Sequence, residues 1–180
     1  MEGGETLTIA KKSLFARAWD ITNQYGGRIG GFRTLRRVGY FKGEGEAAGT
    51  TRTFVYTGWR SSLGEVRDEW GHTVGAMHRS FGARTAQLIL YEKEYVWHTD
   101  TGGTYFAITL TDGTELLRVE GCGGFGTEGT ITVHTPAENG EMLALVYMGL
   151  FQLRAREAEV ALVSGVLAIL ALFGGTALLS

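Results

Sequence analysis

Hydrophobic and polar residues alternate along most of this chain. Ile131 and Val133, for example, are interleaved with Thr130, Thr132 and His134, a period of two that belongs to half-buried strands and not to helices. Runs of this kind predict strands over Leu7–Ala10, Phe15–Thr22, Arg28–Thr34, Val38–Lys42, Thr51–Thr57, Ser62–Arg67, Thr73–His78, Thr85–Tyr91, Glu94–Thr99, Thr104–Leu110, Glu115–Glu120 and Gly129–His134. Turn signals separate them: Gly26-Gly27, Gly43-Glu44-Gly45, Asp100-Thr101-Gly102-Gly103 and Asp112-Gly113. Asp-Gly between two apolar runs is among the stronger hairpin signals.

The alternation stops at Met142. MLALVYMGLFQLR (Met142–Arg154) is apolar on every face until Gln152, and it is longer than a typical strand of about 4–8 residues. Leu, Met and Ala lose little rotamer freedom in a helix. Asn139 suits the N-cap, and Glu141 puts a negative charge in the first turn. A helix without a polar stripe has to be buried all round. Met142, Leu143, Leu145, Val146, Leu150 and Phe151 are therefore expected in a helix near 141–155 that plugs an enclosed space. It is too short to cross a bilayer, which takes roughly 20 residues.

A second apolar stretch, Val160–Leu179, runs for 20 residues without a charge. At 1.5 Å per residue that reaches about 30 Å, the thickness of a bilayer core. Arg154 and Arg156 lie just before it, a placement that keeps the preceding domain on the cytoplasmic side. The expectation is a C-terminal membrane anchor following a domain over 1–156, with 157–180 as the apolar helix. Two other arrangements stay open, both cytosolic. Val160–Leu179 can be the plug, with Met142–Leu153 as the last strand. Alternatively it can pack on the domain or on another subunit, as its small residues Gly165, Gly174 and Gly175 suit close helix packing.

The strands contain an internal repeat. NQYGGRIGGFR (Asn23–Arg33) aligns without gaps on DEWGHTVGAMH (Asp68–His78), matching Tyr25 to Trp70, Gly26 to Gly71, Ile29 to Val74 and Gly30 to Gly75. LTDGTELLRVE (Leu110–Glu120) is a shorter third copy. Propellers and solenoids also repeat at such periods, but they have no use for an all-apolar terminal helix. Side chains alone fill a barrel of about eight strands, whereas an eleven-stranded can holds a central helix. About twelve antiparallel strands closed around one hydrophobic helix is a self-consistent set.

The repeated strand–[DN]-x-x-G-x-x-[IV]-G–strand units, ending in the helix MLALVYMGLFQLR, resemble the tubby C-terminal-like superfamily. That group includes the LURP-one-related proteins and the phospholipid scramblases. The resemblance spans roughly residues 5–156 and implies a twelve-stranded barrel around a hydrophobic helix. The sequence has no acidic calcium loop, no cysteine cluster and no proline-rich leader, and its basic residues do not match the tubby phosphoinositide ligands position by position. Calcium dependence, lipid scrambling and phosphoinositide binding are therefore not carried over.

Composition changes this picture little. A net charge of −2 leaves no nucleic-acid footprint. Cys122 is the single cysteine, so there is no disulfide framework, and Gly121-Cys122-Gly123-Gly124 shows no base to activate a thiol. The N-terminus lacks the apolar core of a signal peptide. His72 and His78 share a strand face about 20 Å apart, and His98 and His134 add no metal spacing; no metal and no cofactor is expected. The glycine runs Gly26–Gly31 and Gly121–Gly126 lack the phosphate-loop lysine. Asp68, Glu69, Asp100 and Asp112 sit at turns, and Trp19, Trp59, Trp70 and Trp97 read as wall or core. The densest basic run is Arg33, Arg36, Arg37 and Lys42, a weak candidate for lipid head groups that also serves as a solvated strand edge.

The expected function is that of a non-enzymatic, membrane-associated barrel binding a lipid or a membrane protein. The alternatives are a scramblase-like lipid mover and a soluble structural barrel plugged by its last segment. The sequence leaves the oligomeric state open.

Overall fold

The computed structural model describes residues 4–11, 17–37, 40–47, 49–57, 63–122, 127–136 and 138–174. Side chains are described through residue 164, except those of 36, 37, 40 and 57. The strands are β1 (Thr6–Lys11), β2 (Ala18–Thr22), β3 (Arg28–Arg37), β4 (Tyr40–Ala47), β5 (Thr50–Thr57), β6 (Leu63–Arg67), β7 (Thr73–His78), β8 (Thr85–Leu90), β9 (Lys93–Thr99), β10 (Tyr105–Leu110), β11 (Glu115–Glu120) and β12 (Glu128–Val133). One helix, α1 (Asn139–Gly174), follows. Each strand pairs antiparallel with its sequence neighbours, and β1 pairs with β12, as in Thr6↔Thr132 and Ile9↔Gly129. The result is a closed up-and-down barrel, and closure leaves no sheet edge to manage.

All twelve expected strands are present. The repeat proves to be a turn made three times, at β2–β3, β6–β7 and β10–β11, four strands apart. In each a register shift precedes the turn, after Ile21, Val66 and Ile108. Each turns at a glycine with positive φ: Gly26, Gly71 and Gly113, a conformation that costs glycine nothing. Asn23 Oδ1 accepts from the Tyr25 and Gly27 amides, and Asp68 Oδ1 accepts from those of Trp70 and His72. In the third copy Asp112 Oδ1 accepts from the Thr114 amide.

Helix α1 runs through the lumen. The apolar side chains from Met142 to Leu153 are 0–3% exposed, and each large one contributes about 1.5–3 kcal/mol of burial. This overturns the arrangement in which Val160–Leu179 is the plug and Met142–Leu153 a strand. The expected plug and the expected separate C-terminal helix are one uninterrupted element. The joining residues Arg154-Ala155-Arg156-Glu157-Ala158-Glu159 are all good helix formers, so nothing breaks the ladder. The helix enters at a near mouth, with the five β2–β3 to β10–β11 turns, and leaves at a far mouth.

β4 is longer than the expected Val38–Lys42, because Gly43 and Gly45 are not a turn. They face the lumen where the helix comes closest. A Cβ on Gly43 would lie 2.9 Å from Phe151, and one on Gly45 would overlap the Tyr147 ring. The turn falls instead at Gly49, where φ is positive. Phe32 stacks on Tyr147 with ring centroids 5.8 Å apart, and Tyr56 stacks on Phe151 at 5.2 Å. On the opposite wall the notch is on the helix: a Cβ at Gly149 would overlap the Phe106 ring.

Gly149→Ala is accordingly expected to lower stability by about 1–3 kcal/mol through overpacking. In an exposed helix the same change stabilises by about 1 kcal/mol, so the sign in a urea melt distinguishes the two situations.

Candidate functional site

The far mouth is where the sequence turns polar inside the barrel. Gln152 and Glu159 lie two helical turns apart on one face of α1, and both reach Arg79, which follows β7. Arg79 Nη2 donates to Glu159 Oε1 at 2.6 Å and Nη1 to Oε2 at 2.9 Å. Its Nε donates to Gln152 Oε1 at 3.1 Å, an oxygen that also accepts from Tyr56 Oη at 2.8 Å. The Gly82 amide donates to Glu159 Oε2 as well. Arg79 is 4% exposed, and a guanidinium so deeply placed requires this paired carboxylate.

The collar continues round the helix. Arg154 stacks over Trp19, 4.5 Å from the ring centroid, donates to the Cys122 carbonyl and pairs with Glu157 at 2.5 Å. Arg156 Nη2 donates to the Thr101 carbonyl at 3.0 Å. Three elements of the barrel thereby grip the departing helix. Burial pushes the Cys122 thiol up to about 12, so it is protonated and inert at neutral pH.

Outside this collar the far mouth carries exposed apolar side chains among exposed charges, Arg17, Arg84, Glu120 and Glu128. Leu35 at the end of β3, Leu63 at the start of β6 and Phe81 in the β7–β8 loop are about half exposed, and so are Val160 and Val163 on the helix. The near mouth has exposed aromatic side chains of its own, Tyr25, Trp70 and Tyr91. Glu141 accepts from Tyr95 Oη and pairs with Lys93 at 2.9 Å, and the turn tips Glu69, Glu92, Asp112 and Glu138 are exposed and acidic. A cleft of about 630 Å³ opens there between β1–β4 and the start of α1. Among the described residues lining it, the basic side chain is Arg28, held by Asp20 at 2.9 Å and Glu46 at 3.4 Å.

The four basic candidates lie along the β3–β4 hairpin. Arg33 and Lys42 converge on Glu44, with Lys42 Nζ at 2.6 Å; the Lys42 hydrogen bond, and then Arg33, hold the Glu44 carboxyl below its usual range. Arg36 and Arg37 are in β3 opposite Phe41 and Tyr40, but their side chains lie outside the described residues, as do Trp59 and Gly123–Gly126. Met142, Leu143, Leu145, Val146, Leu150 and Phe151 all line the packed lumen. His72 sits 3.3 Å from Asp68, and His134 3.1 Å from Glu115. Among the described residues no three His, Cys, Asp or Glu side chains converge as a metal site would require. Sequence reasoning missed Arg79. Its signal was the i, i+7 pair Gln152 and Glu159, which share one helix face and called for a common partner.

The fold has a counterpart of known structure. It is similar to the X-ray structure of a protein from Arabidopsis thaliana, AT5G01750, a LURP-one-related, tubby-like barrel. The TM-score is 0.54 at 11% identity, covering 82% of this chain and 91% of that one. At this identity the likeness concerns the fold alone. By sequence, no family and no curated protein matches the chain.

Two outcomes follow from the collar. Glu159→Gln strands the Arg79 charge and is expected to cost about 3 kcal/mol, lowering Tm by about 6–12 °C; adding Arg79→Met recovers part of that loss. The second concerns pH. The folded-state pKa of Cys122 lies above the unfolded value of about 8.5, so the native state keeps its proton longer. Its stabilisation is complete below about pH 8.5 and is lost as pH rises toward 12, at up to about 1.4 kcal/mol per pH unit. The resistance of the native chain to urea should fall across that window, and Cys122→Ala should flatten the slope.

Proposed function

We propose that this protein is a non-enzymatic barrel of the tubby-like superfamily, held at the cytoplasmic face of a membrane by its C-terminal helix, where it binds a lipid or a membrane protein. The observation that carries the reading is the course of α1. The helix does not stop where the lumen ends; it continues outward with exposed apolar side chains at Val160, Leu162 and Val163. A helix that leaves a barrel to face water normally turns polar, and this one begins a charge-free run to Leu179. Among the described residues no helix is long and apolar enough to cross a membrane. Within Val160–Leu179 the side chains of 165–174 and the whole of 175–179 lie outside them. Arg154 and Arg156 favour a cytoplasmic barrel. The lumen is filled, and Cys122 is buried without an activating base.

Flotation with vesicles of neutral phosphatidylcholine tests this. The full chain should rise with the vesicles, while a chain ended after Glu159, which keeps the Arg79 pair, should stay at the bottom with the circular dichroism of an intact barrel. Equal behaviour of the two would remove the anchor.

A further inference from the structure

We infer that Thr101, on the β9–β10 turn, is a phosphorylation site, and that its phosphate is received by Arg84 and Arg156 and ties that turn to the departing helix. The inference is independent of how the C-terminal helix meets a membrane.

The first observation is a buried charge without a counter-charge. Arg156 is 8% exposed. A guanidinium so placed is normally paired with a carboxylate, as Arg79 is with Glu159 and Arg154 with Glu157. Among the described residues Arg156 has no carboxylate partner. Its Nη2 donates to the Thr101 carbonyl at 3.0 Å, and its Nε is buried without a hydrogen bond. Asp100, next to Thr101, is turned to Thr104: its Oδ1 accepts from the Thr104 amide at 2.7 Å and its Oδ2 from Thr104 Oγ1 at 2.8 Å. Glu120, in the pair next to Tyr105 on β11, faces Arg118 at 4.0 Å. The stretches outside the described residues hold one acidic side chain, Glu2, just before the near-mouth start of β1.

The second observation is convergence. Arg84, just before β8, also has no carboxylate partner among the described residues, and its Nη1 donates to Thr101 Oγ1 at 2.8 Å. Two guanidinia from separate elements thus meet one threonine, one at its hydroxyl and one at its carbonyl. Thr101 and Gly102 are exposed, so the hydroxyl is open to an enzyme. The neighbouring threonines do not offer the same arrangement. Thr99 is buried, and the Thr104 hydroxyl is bound to Asp100.

Phosphorylation supplies the missing anion. A protein kinase transfers the γ-phosphoryl group of MgATP: Thr101 Oγ1 attacks phosphorus, the bridging bond to ADP breaks, and the hydroxyl proton passes to the kinase's base. The product carries a charge of about −2 and three acceptor oxygens, which matches two guanidinia. Charge-assisted bonds of this kind are roughly twice as strong as neutral ones. A free anion has to be captured from solution, whereas a phosphate on Thr101 is tethered beside its receivers. Arg156 belongs to α1 and Arg84 to the approach of β8, so the modification fastens the helix to the wall where it leaves the barrel.

The test builds phosphothreonine into position 101 of the full chain during translation and compares thermal melts in one detergent buffer. The phosphorylated chain should melt about 4–8 °C above the unmodified one. Arg156→Gln separates a phosphate receiver from an ordinary structural residue. In the phosphorylated chain it should remove most of that rise. In the unmodified chain it deletes an unpaired buried charge, and Tm should stay the same or increase. Arg84→Gln should likewise cut the rise and leave the unmodified chain unchanged. A phosphate at 101 that leaves Tm unchanged or lowers it overturns the inference, as does an equal loss from Arg156→Gln in both chains. Inorganic phosphate that raises Tm of the unmodified chain as far, through the same two arginines, overturns it in favour of a free-anion site. Occurrence is read from the protein isolated from its own cells. In the tryptic peptide Glu94–Arg118 the phosphate should sit on Thr101; its absence, or its presence on another threonine instead, overturns the site.

Discussion

A rod that is apolar on every side cannot face water, and the rest of this structure is the enclosure that solves the problem. From Met142 to Leu153 there is no direction in which the helix could be left exposed without losing the burial of several large side chains, at about 1.5–3 kcal/mol each. A single sheet would cover one side of it. A barrel of eight strands would leave no room. Twelve strands closed edge to edge supply a wall on all sides, and such a wall would be hollow without the rod. Neither part is stable alone, so the barrel and its plug form one cooperative unit.

The fit between them is made by removing atoms. On one wall the strands give way, with glycine at 43 and 45 beneath the Tyr147 and Phe151 rings. On the other the helix gives way, with Gly149 beneath Phe106. Interiors are close-packed and feel a single methylene, so these notches set how far off-centre the helix sits. They also explain where the sequence misled. Gly43-Glu44-Gly45 has the composition of a turn, and glycine in a turn and glycine under an aromatic ring look alike until the ring is placed.

Other features were legible because they are local. Alternation with period two identified every strand. The two Asn/Asp-x-x-Gly units and Asp112-Gly113 marked three turns whose hydrogen bonds close within five residues. The all-apolar run announced the plug. What escaped depends on partners far apart in the chain. Arg79 and Glu159 lie 80 residues from each other, and nothing local to Arg79 says that it is buried. The boundary drawn between plug and tail failed for a different reason. Arg154–Glu159 reads as a polar linker by charge, yet by propensity it is a helix, and the barrel supplies partners that let those charges remain on it. The four basic residues of the β3–β4 hairpin illustrate the limit of composition. Their density was visible, but that Glu44 draws in two of them follows from the strand register, Arg33 opposite Glu44.

Burial by itself does not say how far the helix should be pushed through the lumen. The hydrophobic effect is non-directional, and an all-round apolar helix shifted by one turn would bury nearly the same area. Polar contacts at the two mouths provide the missing specification. Glu141 is held by Lys93 and Tyr95 at the near mouth, and Tyr147 Oη donates to the Glu46 carbonyl at 2.6 Å towards the same end. Gln152 and Glu159 are held by Arg79 at the far mouth. A slide of one turn, about 5.4 Å, would break all of them at once and leave Arg79 buried without its carboxylate. Buried ionic groups often add little net stability, but they can fix register, and here the register has a consequence at the surface. It determines that Val160 is the first exposed residue of the departing helix, so that the second apolar run begins where the barrel ends.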